Sequence, residues 1–107
     1  MPPAPPIDRG EVWLADLGMA AKVRPCLVLS VPPGPADRVL FTLVPHTTSL
    51  HGTAYEVAVS APFLKSGAFD AQGMVTVPRP RLIRRLGVLS PAALAPVEAA
   101  VHSLLRL

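Results

Sequence analysis

An arginine in an apolar segment is the first residue with chemical potential in this sequence. Arg24 lies in the run Val23–Leu29, whose other members are apolar. A guanidinium in such surroundings suits a planar anion such as phosphate or carboxylate, which it binds through two parallel N–H donors. The alternative is a structural ion pair with Asp16 or Glu56. The sequence therefore indicates either an anion site or an internal ion pair at this position.

Hydroxyl and imidazole groups crowd the segment that follows the third predicted strand. These residues are His46, Thr47, Thr48, Ser49 and His51. Such groups suit anion binding or proton transfer, because hydroxyls both donate and accept hydrogen bonds and an imidazole titrates near neutral pH. The alternative is a turn whose Thr and Ser side chains satisfy its own backbone.

The densest basic cluster lies further along the chain and consists of Arg79, Arg81, Arg84 and Arg85. Two interpretations stay open for it. The arginines either contact phosphates or form the solvated face of a short helical segment, for which Pro80–Arg85 is the candidate.

Five short strands are predicted to position these groups, because β-favouring apolar runs alternate with Gly- and Pro-rich turns. They are Glu11–Leu17, Val23–Val31, Arg38–Val44, Ala54–Val59 and Met74–Val77. The continuous apolarity of the second run is typical of a strand that is buried on both faces.

A helix is predicted at the C-terminal end. Ser90 is the expected N-cap, and Pro91 suits the first helical position because its missing N–H costs nothing there. An apolar stripe at helical spacing follows, formed by Leu94, Val97, Val101, Leu104 and Leu105. Pro96 is expected to kink the helix or to divide it. Short strands and one terminal helix predict a mainly β domain, a small and partly open barrel capped by the helix.

Composition bounds the remaining possibilities. The 107 residues are enough for one domain, and with 50% hydrophobic and 16% charged residues the chain is too apolar for a disordered protein. The single cysteine, Cys26, excludes a disulfide framework and a Cys-rich zinc site. A net charge of +3 permits a polyanionic partner without requiring one. We expect a flexible Pro-rich tail over residues 1–8 and a single domain over residues 9–107. With neither a secretory signal nor a membrane span recognisable, we expect a cytoplasmic protein.

Three blocks in consistent order resemble the MazF/PemK/Kid family of toxin endoribonucleases. They are Arg9–Leu14 (RGEVWL), Val23–Ser30 (VRPCLVLS) and Val44–Thr48 (VPHTT), and the run Arg81–Pro91 resembles the family's segment before its last helix. The resemblance covers residues 9–107. It implies a small SH3-like barrel of the plasmid-maintenance-toxin (MazF/PemK/CcdB) type that forms a homodimer.

The resemblance also implies a function, that of the toxin component of a type II toxin–antitoxin system. Such a toxin is a sequence-specific endoribonuclease that cleaves single-stranded RNA, usually mRNA, without a metal or other cofactor. A cognate antitoxin protein binds and inhibits the dimer, and DNA is reached only through the antitoxin complex. By the family pattern, Arg24 and Thr47 are the catalytic pair. The 2′-hydroxyl of the RNA attacks the adjacent phosphorus, and Thr48 is the alternative to Thr47 in register.

Further site residues are expected around this pair. Proton transfer needs a group that titrates near neutral pH, and His46 and His51 are the nearest, although on an alternating strand His46 points away from Thr47. With Thr48 and Ser49, these histidines are candidate catalytic or RNA-binding residues. The residues expected to contact RNA phosphates are Lys22, Arg79 and Arg81.

Two segments depart from the family pattern. The loop between the first two strands, Gly18–Lys22, is shorter than the polar loop usual at this place, and the Asp-Gln pair before the last strand is matched only loosely by Asp70–Gly73. Aromatic residues for base stacking are also sparse, and Trp13 has the alternative role of a core anchor. These features favour a second hypothesis, a non-catalytic binding module on the toxin fold that inhibits a protein target such as gyrase.

Overall fold

The computed structural model describes residues 6–18 and 22–107, which form one mainly β domain with a C-terminal helix. The strands are β1 (Glu11–Asp16), β2 (Val23–Val28), β3 (Leu40–Thr47), β4 (Glu56–Ala58), β5 (Ala68–Asp70), β6 (Val75–Pro78) and β7 (Leu82–Val88), and the helix α1 is Pro91–Leu105. Single 3₁₀ turns lie at Ala71–Gly73 and Arg79–Arg81. Most of the predicted Pro-rich tail, and residues 19–21 of the short first loop, lie outside the described residues.

The strands form an antiparallel sheet in the order β4-β5-β3-β2-β1-β7, and β6 pairs with β3 beside this path. β3 is the central strand, because it pairs with β2 and also, along successive parts of its length, with β6 and β5. The predicted fold class is confirmed. Within the described residues the sheet does not close on itself, so the barrel is an open one.

Two apolar cores lie on opposite faces of the central strands. Leu27 and Val44 belong to the first core, where they pack with Phe69 and the buried face of α1. Cys26 and Val28 belong to the second core. Because successive side chains of a strand point to opposite faces, β2 contributes to both cores in turn. This arrangement explains the continuous apolar run of β2, which was predicted to be buried on both faces.

The second core begins before β1. Ile7 is 3% exposed and packs in that core, so the end of the segment 1–8 contacts the sheet. The folded domain therefore includes Ile7, which precedes the expected domain start at residue 9. No helix in the described ranges is long and apolar enough to span a membrane.

The helix begins as predicted and reaches the last residue of the predicted apolar stripe, Leu105. Ser90 Oγ accepts a hydrogen bond from Ala93 N at 3.2 Å, and Pro91 is the first helical residue. Pro96 does not divide the helix, which is continuous over 15 residues. The amide that Pro96 lacks would have bonded the carbonyl of Ala92, which is an exposed residue.

The sequence interpretation was wrong about the last strand. Residues 80–85 do not form a helical turn, because the 3₁₀ turn ends at Arg81 and β7 begins at Leu82. β7 pairs with β1 along its length, and this pairing supplies partners for its backbone N–H and C=O groups. Two further details were missed: β5 was not predicted, and β3 extends three residues further, to Thr47.

Ser90→Ala tests the cap on which the docking of α1 depends. The substitution removes the acceptor for Ala93 N, and the free energy of unfolding is expected to fall by about 1 kcal/mol. Urea denaturation monitored by circular dichroism measures the change. Ser60→Ala, at an exposed loop position, is the control and is expected to change stability by less than about 0.5 kcal/mol. Equal effects of the two substitutions would contradict the capping role.

Candidate active site

An open groove of about 770 Å³ lies where β2 begins and β3 ends, beside β7. β1, β2, β3, β5 and β7 contribute side chains to its walls, as do the loops that follow β3 and β4. Residues from both polar parts of the sequence meet here, namely Lys22, Arg24, His46, Thr47, Thr48, Ser49 and His51. The groove therefore brings together the predicted anion-binding arginine and the predicted hydroxyl and imidazole cluster.

Strand register is what brings Arg24 and Thr47 together. Cys26 pairs with Pro45 in the antiparallel ladder of β2 and β3. The same register continued by two residues on each strand sets Arg24 opposite Thr47, and residues at this spacing share one face. Twenty-two residues of chain separate the two positions, so their proximity depends on the ladder.

Arg24 is half-buried at the start of β2, and its positive charge acts on neighbouring groups. The two carboxylates considered as its ion-pair partners have roles in capping loops. Asp16 Oδ1 accepts a hydrogen bond from Gly18 N at 2.8 Å. The Glu56 carboxylate accepts from His51 N and Thr53 N, and these bonds lower the pKa of Glu56. Glu56 thus anchors the loop that carries His51 into the groove.

The Thr47 hydroxyl serves the turn that follows β3. Thr47 Oγ1 accepts a hydrogen bond from Ser49 N at 3.0 Å and donates to Ser49 O at the longer distance of 3.3 Å. The expectation that these side chains satisfy their own backbone is therefore correct for Thr47. The residue also lines the groove, so its hydroxyl is available to both the turn and a ligand.

His46 is a buried imidazole beside the exposed hydroxyls. Its side chain is 3% exposed, and the ring meets Phe69 edge-on with 5.2 Å between ring centroids. Nε2 is buried and makes no hydrogen bond with the described residues. Burial is the main cause that lowers the pKa of His46, and the nearby charge of Arg24 lowers it further. Since both effects disfavour the cation, His46 is neutral at pH 7.

A close approach of β5 to β3 encloses His46. A Cβ at Gly67 would lie 2.2 Å from the backbone oxygen of Thr47 and 2.8 Å from Cε1 of His46. Only glycine fits between these atoms. The residue before β5 therefore keeps this part of the chain close to β3 and to His46.

A further titratable group whose pKa Arg24 affects is a cysteine. Burial raises the pKa of Cys26 to about 12, although the charge of Arg24 acts in the opposite direction. The thiol stays protonated at neutral pH and is a poor nucleophile. Among residues 6–18 and 22–107, no three His, Cys, Asp or Glu side chains lie together as a metal site would require.

The basic cluster does not act as one surface. Arg84 lines the groove, whereas Arg79 and Arg81 are not among the residues that line it. The guanidinium of Arg79 lies 5.2 Å from the ring centroid of Trp13, and its Nη1 donates to the backbone oxygen of Leu82. Arg85 pairs with Glu11 at 3.5 Å. Trp13 itself packs against the second core, as the core-anchor interpretation expected.

Sequence reasoning missed the other lining residues, among them Leu14, Phe63, Lys65, Asp70 and Leu86. The signal for Leu86 was available, because it lies two residues after Arg84 and shares its face once β7 is recognised as a strand. The place of Leu14 in the groove is also predictable once β7 is recognised, because Leu14 of β1 pairs with Arg84. Phe63 and Lys65 lie in a loop, where periodicity gives no signal.

Comparison with known proteins supports the resemblance. Residues 8–105 match the PemK-like, MazF-like toxin of type II toxin–antitoxin systems. MazF from Deinococcus radiodurans is similar in structure, with a TM-score of 0.80, 28% identity and coverage of 97% of this chain and 100% of that one. A mycobacterial endoribonuclease solved in complex with its cognate antitoxin has a TM-score of 0.80 and 25% identity, with coverage of 94% and 96%. A MazE–MazF structure from D. radiodurans has a TM-score of 0.80 and 27% identity, with coverage of 97% and 99%.

The buried imidazole predicts a pH-dependent stability. The pKa of His46 is lower in the folded chain than in the unfolded one, so the unfolded chain binds the proton first as pH falls. Stability should therefore be complete above pH ~6.5 and decline below it, by at most about 1.4 kcal/mol per pH unit. Urea unfolding of the wild type and of His46→Gln between pH 7.5 and 5.5 measures the slope.

The exposed residues His51 and His102 provide the controls. His46→Gln is expected to flatten the slope, whereas His51→Gln and His102→Gln are expected to retain it. A wild-type slope that survives in His46→Gln would contradict the assignment.

Proposed function

The chain belongs to the PemK-like, MazF-like toxin family of type II toxin–antitoxin systems, and we propose that it is an endoribonuclease that cleaves single-stranded RNA at specific sequences in the groove around Arg24. The observation that carries this proposal is that Arg24 and Thr47 line one groove, where the β2–β3 register, continued two residues past the Cys26–Pro45 pair, sets these two residues opposite each other. The cations Lys22, Lys65 and Arg84 line the same groove and suit a polyanionic substrate.

The reaction begins with attack of the 2′-oxygen of a ribose on the adjacent phosphorus. The O2′–P bond forms as the P–O5′ bond breaks, which gives a 2′,3′-cyclic phosphate and a 5′-hydroxyl end. One proton leaves the 2′-hydroxyl and one reaches the departing O5′. Negative charge grows on the non-bridging phosphoryl oxygens, so stabilisation of that charge is the main task of the protein.

Arg24 performs this task in the proposed mechanism. Its guanidinium presents parallel N–H donors to two phosphoryl oxygens, and an arginine side chain in a protein carries a permanent positive charge. It therefore stabilises charge and does not act as a base. A charge-assisted bond of this kind in a partly desolvated groove is stronger than the same bond in water.

Thr47 supplies a second donor to the phosphoryl group. Ser49 N occupies one lone pair of Thr47 Oγ1 and orients the hydroxyl. The proton of that hydroxyl is engaged only in the 3.3 Å bond to Ser49 O, which is longer than an ordinary O–H···O bond. Exchange of this bond for one to a phosphoryl oxygen costs little. Thr48 and Ser49 are exposed beside it and can bind neighbouring phosphates or sugars.

Proton transfer is assigned to His51 in this proposal. A general base must come within about 3.2 Å of the proton that it accepts, directly or through one water. His51 is exposed on a loop that Glu56 anchors, so a ribose hydroxyl can reach its ring. The Nε2 atom of His46 is enclosed, which favours a supporting role for that ring behind Thr47.

Family membership also supports a wider context for the activity. We expect a homodimer, a cognate antitoxin protein that inhibits it, contact with DNA only through the antitoxin complex, and action in the cytoplasm. Apolar side chains are exposed on several elements and can serve such protein contacts. They include Val31, Val39, Leu50, Ile83, Val88 and Leu105.

Cleavage of an unstructured RNA in the presence of EDTA tests the proposed function. The wild type is expected to produce fragments with 2′,3′-cyclic phosphate ends, identified by mass spectrometry. Arg24→Ala is expected to lower the rate by about 10²–10³-fold, the effect of removing a donor to a developing oxyanion, and Thr47→Val to lower it by a similar or smaller factor.

Arg38→Ala is the matched control, because Arg38 is exposed and lies outside the groove. It is expected to retain the wild-type rate, and circular dichroism shows whether each variant is folded. RNA that stays intact with excess wild-type protein would contradict the enzymatic proposal and favour the binding-module hypothesis.

The salt dependence of RNA binding separates Arg84 from Arg81. Each phosphate contact on a single strand contributes about 0.7 to the slope of log affinity against log salt concentration. Arg84→Ala is expected to reduce this slope by about 0.7 for a non-cleavable 2′-O-methyl oligonucleotide, measured by fluorescence anisotropy. Arg81→Ala is expected to leave it unchanged, since Arg81 does not line the groove. The reverse result would indicate that the RNA contacts the 3₁₀ turn Arg79–Arg81 and not Arg84 in the groove.

A further inference from the structure

The groove has an apolar part that the proposed chemistry does not use. Leu14, Phe63 and Leu86 line it together with the charged and hydroxyl-bearing residues. Phosphates and ribose hydroxyls do not stabilise exposed apolar surface. This part of the groove therefore requires a ligand group with an apolar face.

Phe63 is held against the backbone of β7. A Cβ at Gly87 would lie 2.3 Å from Cε1, 2.5 Å from Cδ1 and 2.8 Å from Cζ of the Phe63 ring. These distances leave no room for any side chain at Gly87, so the ring lies directly on the strand backbone. A ring fixed in this way loses little conformational entropy when a ligand stacks on it.

The ring has one part in the core and another at the groove. Phe63 is half-buried and packs against the first core, and it also lines the groove wall. Arg84 and Leu86 lie on the strand that carries Gly87, and Lys65 follows Phe63 by two residues. An aromatic surface next to cations matches single-stranded nucleic acid, in which planar bases alternate with phosphates along the chain.

We propose that Phe63 is a stacking site for one unpaired nucleobase of the RNA. The inference rests on the proposed function and adds a binding residue to it. Every base has a π-face, so a stack of this kind supplies affinity and fixes the position of the strand relative to Arg24. Hydrogen bonds from other groups would be needed to select among the bases.

An abasic scan of a non-cleavable RNA tests the stack. The probe is a fluorescein-labelled 2′-O-methyl oligonucleotide that contains the preferred cleavage sequence, together with variants that lack one base each. The wild type is expected to lose roughly 5- to 100-fold in affinity at one position, the value of one base–aromatic stack. Phe63→Leu is expected to bind the complete oligonucleotide more weakly by a similar factor and to lose nothing further at that position.

Phe41→Leu is the matched control, because Phe41 is buried in the second core and is absent from the groove walls. It removes the same ring from the protein and is expected to keep the wild-type abasic profile. A Phe63→Leu profile identical to that of the wild type would overturn the stacking site. It would indicate that the apolar part of the groove binds a side chain of a protein partner instead of a base.

Photocrosslinking with the wild-type protein covers the case in which Phe63→Leu does not fold. A 5-iodouridine at the sensitive position is expected to crosslink to Phe63, which mass spectrometry of the digested complex identifies. Crosslinks only to other residues would overturn the proposal. If the wild type does not bind the complete oligonucleotide, the proposed function itself fails, so the two failures are distinguishable.

Discussion

The antiparallel register between β2 and β3 is the constraint on which the rest of the structure depends. It pairs Cys26 with Pro45 and, continued two residues beyond this last pair, sets Arg24 opposite Thr47. A shift by one residue would turn every side chain of the strand to the other face, which would exchange the contributions of β2 to the two cores. Core packing thus resists such a shift, and the same packing fixes the geometry of the site. Stability and function depend here on one set of contacts.

The parts of this arrangement that were predictable from sequence are those with a local signal. The continuous apolar run of β2 indicates burial on both faces, and Ser90 before Pro91 indicates the start of a helix. β7 was missed because the segment with Arg84 and Arg85 was interpreted as a short helical turn. Its pairing with β1 is a tertiary interaction, which the local sequence does not show. The position of Phe63 in the groove wall depends on the contact of its ring with Gly87. These two residues are far apart in sequence, so no local signal predicts the contact.

Alternation along β7 explains why the basic cluster divides. Arg84 and Leu86 share the face that lines the groove, and Arg85 points to the other side, where Glu11 pairs with it. The ladder of β1 and β7 contains register shifts between Val12 and Trp13 and between Leu14 and Ala15. An interpretation based on charge density treats these arginines as one surface. In the strand, Arg84 lines the groove, whereas Arg85 forms an ion pair with Glu11.

Close packing encloses His46 near the positive charge of Arg24. β5 approaches β3 so closely that Gly67 admits no side chain, and the imidazole is enclosed between that glycine and Phe69. A neutral buried ring adds no second positive charge beside Arg24, so the two groups do not repel each other in their partly buried surroundings. If the ring were protonated, two cations would compete within one partly desolvated space. Because His46 is buried and neutral, the positive charge of the groove comes from Arg24 and from the lining cations Lys22, Lys65 and Arg84.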